Sequence, residues 1–321
     1  MFRSVVVVFV VIFAIQSTYS LSQSSLAPIN FNTLPGWLQQ VPQFKTLIHS
    51  CTGGTLYLWS PGAENYVSCF DSSKGSPLWT IHPLSAESLN QNDVSRPTIE
   101  PWYVPAASEM NLDLKGTSFF PWQGNPIDRG HLSPNDDFRT ASDKDSTFVV
   151  VNRAPQNAYL NRGMWMCTER AVRRITISGK LRVMVITRLL YDSDPNKTTK
   201  ERGSSVSTSV PTHYTKTVYT MDANNQLTSS FCVIQQNLKY DGKRAITNQD
   251  KDTYPDSFAW NACPAPLKAN MPSPTTDDQT ALNSLRKQMF DSKGTYICNA
   301  NLSSVKALEV SEELDDEDDE L

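Results

Sequence analysis

Short runs of apolar residues recur along the chain and predict β-strands. Between residues 21 and 95 these runs, such as Thr55–Trp59, are separated by Gly, Pro, Ser and Asn, a pattern typical of short strands joined by turns. After residue 95 the runs are richer in β-branched and aromatic residues, which favour sheets. The runs that we predict to be sheet strands are Thr147–Val151, Leu181–Leu190, Thr212–Met221 and Leu227–Gln235.

Two segments have helical rather than alternating spacing. Asn161–Arg174 contains no proline and places Trp165 and Glu169 at intervals of four residues from Asn161, so we predict a helix there. Thr276–Asp291 is a second predicted helix, whose expected role is packing. The predicted fold is therefore α+β, with a mainly antiparallel central sheet and flanking helices.

The N-terminus has the pattern of a secretory signal. Arg3 precedes the apolar run Val5–Ile15, and the small or polar residues Thr18 and Ser20 follow it. The run is shorter than the roughly 20 apolar residues that a transmembrane helix needs. We therefore expect residues 1–20 to be a signal peptide, the protein to be secreted, and no membrane to be a partner.

Six cysteines in a chain that enters an oxidising compartment favour disulfides over metal ligation. Their spacing leaves the connectivity open, apart from a predicted Cys51–Cys69 pair around a Gly-rich segment. Two glycosylation motifs, at Asn196 and Asn301, predict surface positions.

The charge of the chain is divided unevenly. The formal net charge is −4, but the nine acidic residues of Glu309–Leu321 leave the remainder at about +5. A block of like charges predicts a disordered acidic tail over residues 306–321. Three interpretations of this tail stay open: a solvating tail, a retrieval signal in its last four residues, and an acidic mimic of nucleic acid.

The first chemical motif is Asp128-Arg129-Gly130-His131. A histidine can take a proton from water near neutral pH, and an adjacent arginine can bind a phosphate group. Glycine allows the backbone to approach closely. The alternative interpretation is a structural histidine beside a local Asp–Arg ion pair.

His213 is interpreted as a structural residue of a half-exposed strand, and His49 and His82 have no chemical context.

The second motif supplies oxygen donors. Asn152 and Gln156 precede the predicted helix, which begins at Asn161 and also contains Arg162 and Glu169. An amide oxygen and a carboxylate eight residues apart lie roughly on one helix face, and Mg²⁺ prefers oxygen ligands while keeping several waters. The alternatives are a helix N-cap for Asn161 and a solvated charge for Glu169, whereas Trp165 is expected to pack in the core.

Together the two motifs resemble the DNA/RNA non-specific endonucleases of the ββα-metal class, with a DRGH motif followed by an N…Q…LNxGxWxxxE helix. The resemblance extends over about residues 95–265. It implies a nuclease domain at 96–305, preceded by a short-strand region at 21–95. One departure is Thr187-Arg188-Leu189, where the family often has Gly-Pro after the threonine.

The resemblance also implies roles for individual residues. His131 would be the general base, Asn161 the direct Mg²⁺ ligand, with Mn²⁺ as a substitute, and Glu169 a group that reaches the metal through water. Arg129 would hold the phosphate, with Arg96 as a second arginine. The polar residues expected to organise the site or face the substrate are Asn152, Gln156 and Arg162.

The implied activity is hydrolysis of DNA, RNA or both with little sequence preference, leaving 5′-phosphates. The main alternative is a secreted protein of the same fold that binds nucleic acid without cleaving it. A structural, disulfide-rich extracellular domain would explain the cysteines but not the two motifs. The sequence indicates no protein partner.

Overall fold

The computed structural model describes residues 26–28, 34–41, 44, 51–59, 65–91, 94–95, 119–121, 126–194, 196–200 and 205–237. In chain order its strands are β1 (Leu26–Pro28), β2 (Thr55–Trp59), β3 (Val67–Asp71), β4 (Ser76–Ser85), β5 (Ile127–His131), β6 (Arg153–Asn157), β7 (Arg182–Leu190), β8 (Thr198–Lys200), β9 (Ser207–Ser209), β10 (His213–Met221) and β11 (Leu227–Gln236). The α-helices are α1 (Gly36–Gln39), α2 (Ala86–Leu89), α3 (Ala141–Ser146), α4 (Ala158–Leu160) and α5 (Met166–Ser178).

Seven strands form one sheet in the order β1-β2-β3-β4-β7-β10-β11, and all neighbouring pairs are antiparallel. The α+β prediction with a mainly antiparallel sheet is thus confirmed. Four of the five predicted strands are also confirmed, with ends that differ by at most one residue: Thr55–Trp59, Leu181–Leu190, Thr212–Met221 and Leu227–Gln235.

The sheet continues across the domain boundary that we expected at residue 96. β4, which precedes that boundary, pairs with β7, which follows it, from Trp79 opposite Arg188 to Ser85 opposite Arg182. The expected features that lie outside the described residues are the signal peptide, Arg96, His49, the helix Thr276–Asp291, Asn301 and the acidic tail.

Alternating residues of the central strands divide the core between the two faces of the sheet. On β7, Val183 and Val185 pack in a cluster with residues of α5, whereas Met184 and Ile186 pack in a separate cluster. We call the face that α5 covers the site face, because the motif residues lie on this side.

Helix α5 covers the site face with one apolar side. Its buried residues include Cys167, Ala171, Val172 and Ile175, which recur at the spacing of a helix that packs on one side. With 13 residues α5 is the longest helix of the described part of the chain. None of the helices described there has the length and apolar character needed to cross a membrane.

The prediction of a strand at Thr147–Val151 was wrong. Thr147 lies in a turn, and the chain then forms a 3₁₀ turn over Val150–Asn152 before β6 begins. The β-branched residues are buried in a cluster instead of a ladder. Asn152 Nδ2 donates to the Thr147 carbonyl oxygen at 2.9 Å, which closes the segment into a loop that a strand could not make.

The predicted helix Asn161–Arg174 forms, but it is interrupted near its start. Residues Asn161–Trp165 form a π-type turn between α4 and α5, with a non-helical backbone at Gly163 (φ −112°, ψ −112°). Such π-turns are frequent at functional sites. Asn161 and Glu169 therefore lie on two helical segments rather than on one regular helix.

The predicted Cys51–Cys69 disulfide is present in the structure. Gly54 lies so close that a Cβ atom there would be 2.9 Å from Cys69 Sγ and 3.1 Å from Cys51 Sγ, so this turn requires glycine. Cys167 takes part in a disulfide bond, and so does Cys232. Asn196, one of the two glycosylation motifs, is exposed as expected.

Candidate active site

The first motif lies on β5, which pairs with β6 in a separate two-stranded sheet. His131 is the last residue of β5, and Arg129 lies opposite Pro155 of β6. Tyr214 Oη and Asn237 Nδ2 donate to the Pro155 carbonyl oxygen at 3.2 and 3.1 Å. These bonds attach the small sheet to the large one.

His131 is half-buried at the end of β5. Its ring meets the buried ring of Phe148 edge-on, with centroids 5.0 Å apart and planes at 88°. The backbone that follows is fixed, because Leu132 N–H donates to the Asn152 carbonyl oxygen at 3.0 Å. The imidazole is thus held at the end of a strand, and its Nε2 atom is buried although the residue as a whole is half-buried.

Asn152 is fully buried, and within the part of the chain that the structure describes its hydrogen bonds all go to backbone atoms. Its Oδ1 accepts from Ser133 N–H at 2.8 Å, and its Nδ2 donates to the carbonyl oxygens of Ser133 and Thr147, both at 2.9 Å. Of the two roles considered for Asn152, this geometry favours organisation of the site over contact with substrate.

Gln156 is fully buried against Gly130. A Cβ atom at residue 130 would lie 2.6 Å from Gln156 Cβ, so the motif requires glycine at this position. Among the described residues, neither polar atom of the Gln156 amide has a hydrogen-bond partner. Gln156 therefore fills the space beside β5, and its amide is a buried polar group of the kind that calls for a functional explanation.

Asp128 binds both Asn161 and Arg162. Its Oδ2 accepts from Asn161 Nδ2 at 2.8 Å and from Arg162 Nε at 2.7 Å, and its Oδ1 accepts from Arg162 Nη2 at 2.6 Å. A carboxylate only accepts hydrogen bonds, so the nitrogen of the Asn161 amide faces Asp128. The amide oxygen is left for another ligand, and Asn161 does not serve as a helix N-cap.

Glu169 is half-buried on the first turn of α5. Burial raises the pKa of Glu169 to about 7, although the positive charges of Lys216 and Arg173 act in the opposite direction. Glu169 is therefore a partly desolvated carboxylate between two cations, not a fully solvated helix charge.

Lys216 is a charged residue that sequence reasoning missed. It was expected on a half-exposed strand, yet its side chain is only 1% exposed on the site face of β10. Its Nζ donates to Thr187 Oγ1 at 2.8 Å and lies 4.9 Å from the centre of the Trp165 ring.

His213 on the same strand is half-buried and contacts Thr212 Oγ1 at 3.0 Å, as a structural residue would.

Two oxygen-bearing side chains fit the expected Mg²⁺ ion. The Asn161 amide oxygen and the Glu169 carboxylate are hard donors, and Mg²⁺ needs few protein ligands because it keeps several waters. The described residues contain no group of three or more His, Cys, Asp or Glu side chains that would form a cage for a metal. A site with one direct amide ligand and water-mediated contacts is consistent with this donor set.

Comparisons with known proteins point to one family. Residues 61–263 match the profile of the DNA/RNA non-specific endonuclease family. The salivary endonuclease of Lutzomyia longipalpis is 29% identical over 138 residues, which cover 39% of this chain and 34% of the relative. Mitochondrial endonuclease G of Homo sapiens is 30% identical over 173 residues, which cover 51% of this chain and 55% of the relative.

A crystal structure of an EndoG/EndoGI complex matches 58% of this chain and 76% of the solved chain, at 26% identity and a TM-score of 0.40. The chain spans only about a third to a half of the curated relatives that it matches. The family match nevertheless covers more than half of the chain and includes both motifs, from Asp128 to His131 and from Asn152 to Glu169. The chain therefore belongs to the DNA/RNA non-specific endonuclease family.

Proposed function

We propose that the protein is a metal-dependent endonuclease that hydrolyses phosphodiester bonds of DNA, RNA or both. Membership of the family supports this class of reaction, and the relatives named above are endonucleases. The observation that carries the proposal is the hydrogen bond from Asn161 Nδ2 to Asp128, which leaves the amide oxygen of Asn161 for a metal ion.

In this proposal His131 is the general base. Its imidazole takes the proton from the water that attacks phosphorus, a role that needs a ring held in a fixed direction. The edge contact with Phe148 and the backbone bond from Leu132 to Asn152 support such a fixed direction.

Asn161 is the proposed direct ligand of Mg²⁺, for which Mn²⁺ substitutes, and Glu169 binds a water of the ion. When bound, the ion neutralises charge on the phosphate and stabilises the leaving 3′ oxygen. Glu169 accepts stronger hydrogen bonds from that water when it is ionised, because a charged acceptor binds a donor more tightly than a neutral one. The neighbouring cations Lys216 and Arg173 favour this ionised form against the effect of burial.

Arginine side chains supply the phosphate contacts. Arg129 is half-exposed beside His131 and is the proposed phosphate clamp, with Arg96 as a second arginine. Arg162 uses Nε and Nη2 to hold Asp128, so we assign it a part in orienting Asn161 as well as a position on the substrate side. Contacts to the backbone of the nucleic acid carry little sequence information, so we expect little base preference.

We further propose that the enzyme is secreted and leaves 5′-phosphate ends. The apolar N-terminal run and the disulfides support secretion. The relatives include one salivary and several mitochondrial enzymes, so the compartment needs a direct test. Expression of the full chain in eukaryotic cells should deliver it to the medium, and retention inside the cells would contradict secretion.

Incubation of supercoiled plasmid and single-stranded RNA with the purified protein tests the proposed function. We expect nicking that requires Mg²⁺, stops with EDTA, and gives ends that a ligase joins without prior phosphorylation. A mobility shift of the DNA without any cleavage would instead identify a nucleic-acid-binding protein of the same fold.

A further inference from the structure

A group of hydrogen-bonded polar side chains lies on the site face and includes Ser133, which follows the end of β5 by two residues. We call it the His82 cluster, and its members are Thr80, His82, Ser133, Asp137 and Arg173. The first four are buried, and Arg173 is nearly so. The mechanism proposed above uses none of the first four.

His82 is the centre of this cluster. Its Nε2 lies 2.9 Å from Asp137 Oδ2, and its Nδ1 lies 3.2 Å from Ser133 Oγ. Because the Asp137 carboxylate accepts, Nε2 carries the hydrogen. Burial lowers the pKa of His82 against the effect of Asp137, so the ring is neutral and its Nδ1 is an acceptor that faces the Ser133 hydroxyl.

Asp137 connects His82 to the helix that carries Glu169. Its Oδ1 accepts from Arg173 Nη1 at 2.9 Å, and Arg173 lies one turn after Glu169 on α5. Burial opposes ionisation of Asp137, but the hydrogen bond from His82 and the charge of Arg173 hold its pKa well below the usual range. The carboxylate is therefore ionised and binds both neighbours at once.

Ser133 connects His82 to the proposed base. It follows His131 by two residues, and its backbone N–H and carbonyl oxygen both bind the Asn152 side chain, at 2.8 and 2.9 Å. Its hydroxyl lies between His82 Nδ1 and Thr80 Oγ1, the latter at 3.0 Å. The Ser133 side chain thus holds the segment after His131 to the large sheet, and the Ser133 backbone holds the same segment to Asn152 of the 3₁₀ turn.

We propose that His82 and Asp137 are positioning residues for the proposed reaction. They fix the segment that follows His131 relative to α5, and so fix the base relative to the helical segments with Asn161 and Glu169. They act through Ser133 and Arg173 and are not catalytic residues. This inference rests on the proposed nuclease function.

Two substitutions at residue 82 separate the two bonds of the ring. The amide of His82→Gln reaches the position of Nε2 and keeps a donor for Asp137, whereas His82→Asn reaches the position of Nδ1 and keeps a contact with Ser133. Ser133→Ala removes only one hydroxyl and is the mildest change. Ile81→Ala is the matched control, because Ile81 is the buried neighbour of His82 on β4 that packs on the opposite face.

Each variant is assayed for kcat and KM on plasmid DNA below its own Tm. We expect kcat of His82→Gln, His82→Asn and Ser133→Ala to fall by about tenfold or more, with KM within about twofold of the parent, because small misplacements of reacting groups cost rate more than binding. Ile81→Ala should lower Tm and leave kcat unchanged. A purely structural cluster would give variants that lose Tm but keep the parent kcat, and that result would overturn the proposal.

A second measurement distinguishes failure of this inference from failure of the nuclease function. Hydrogen exchange of the backbone amide of residue 133 should be at least about tenfold faster in Ser133→Ala and His82→Gln than in Ile81→Ala, after correction for global stability and for the intrinsic exchange rate of each residue type. If the parent protein does not cleave nucleic acid, the proposed function is wrong and exchange alone decides whether the cluster fixes this segment. Equal exchange rates in all variants would overturn the positioning role.

Discussion

Asp128 determines which atom of the Asn161 amide is available to a ligand. Its carboxylate accepts from the amide nitrogen and, at two points, from the Arg162 guanidinium. Bidentate contact with a guanidinium fixes the plane of a carboxylate. The orientation of Asn161 therefore depends on a residue of the preceding strand β5, and removal of Asp128 should affect the metal through Asn161.

Asp128→Asn should raise the Mg²⁺ concentration for half-maximal cleavage by about 10- to 100-fold, as is usual when a group that orients a metal ligand is lost. Asn161→Ala should raise the same midpoint and also lower the maximal rate. The measurement is a Mg²⁺ titration of the plasmid cleavage rate. Asp192→Asn, a change at an exposed aspartate of another loop, is the control.

The double variant tests whether Asp128 acts through Asn161. Asp128→Asn combined with Asn161→Ala should be no weaker for Mg²⁺ than Asn161→Ala alone, because residues of one network are not additive. Midpoint shifts that add in full would show that Asp128 contributes independently of Asn161.

At the residue scale, the sequence pointed to the candidate site residues within its two motifs, including the fully buried Asn152 and Gln156, but not to the buried residues Lys216 and His82 outside them. The two motifs contain His131, Arg129, Asn161 and Glu169. Their chemistry can be inferred from residues that are close together in the sequence. Lys216 and His82 lie in strands that are distant in sequence, and their burial is decided by which face of the sheet α5 covers. Nothing in the local pattern shows that face, so their roles could not be predicted.

At the scale of elements, α5 and the π-type turn place Glu169 among partly buried charges. The prediction of one helix from Asn161 was correct in type, but the interruption at Gly163 was missed because an apolar periodicity does not reveal a local change of hydrogen-bonding pattern. The strand β6 was not predicted either, because a proline and polar residues are not typical of a strand. In the structure this short segment nevertheless pairs with β5.

The burial of Glu169 predicts a pH effect on stability in the metal-free protein. Its pKa is raised from 4.5 to about 7 by burial, so the native state favours the protonated carboxyl. The stabilisation from this group is complete below pH 4.5 and is lost as the pH rises to about 7.

Urea denaturation in EDTA at several pH values measures this effect as the difference between the parent and Glu169→Gln, which stays neutral. The parent should lose on the order of 2 kcal/mol relative to Glu169→Gln between pH 4.5 and 7. The difference removes contributions of other groups, such as His82, whose lowered pKa acts with the opposite sign. A constant difference across this range would show that Glu169 is solvated.

At the scale of the whole molecule, one sheet joins residues before and after the expected boundary at residue 96. The local patterns predicted four strands of this sheet, β2, β7, β10 and β11, but the pairing of β4 with β7 depends on long-range contacts. The site lies on one face of this sheet. The Cys51–Cys69 disulfide adjoins the core cluster of the other face, so it should influence stability without influencing the reaction.

Replacement of both cysteines, Cys51→Ala with Cys69→Ala, should lower the free energy of unfolding by about 3 kcal/mol, the usual effect of removing a link across a loop of this length. In the folded temperature range kcat should match the parent. Urea denaturation and a plasmid cleavage assay measure the two quantities. A large loss of kcat in protein that is still folded would show that the two faces of the sheet are coupled.

The most direct test of the proposed mechanism is the single-turnover cleavage rate of plasmid DNA by His131→Ala in saturating Mg²⁺, with DNA binding measured in EDTA. The control is His213→Ala, which removes a half-buried histidine of β10 outside the motif. Loss of a general base should lower the rate of His131→Ala by about 10²- to 10⁴-fold with DNA binding retained, and His213→Ala should cleave at nearly the parent rate. A His131→Ala protein that cleaves as fast as the parent would contradict the account.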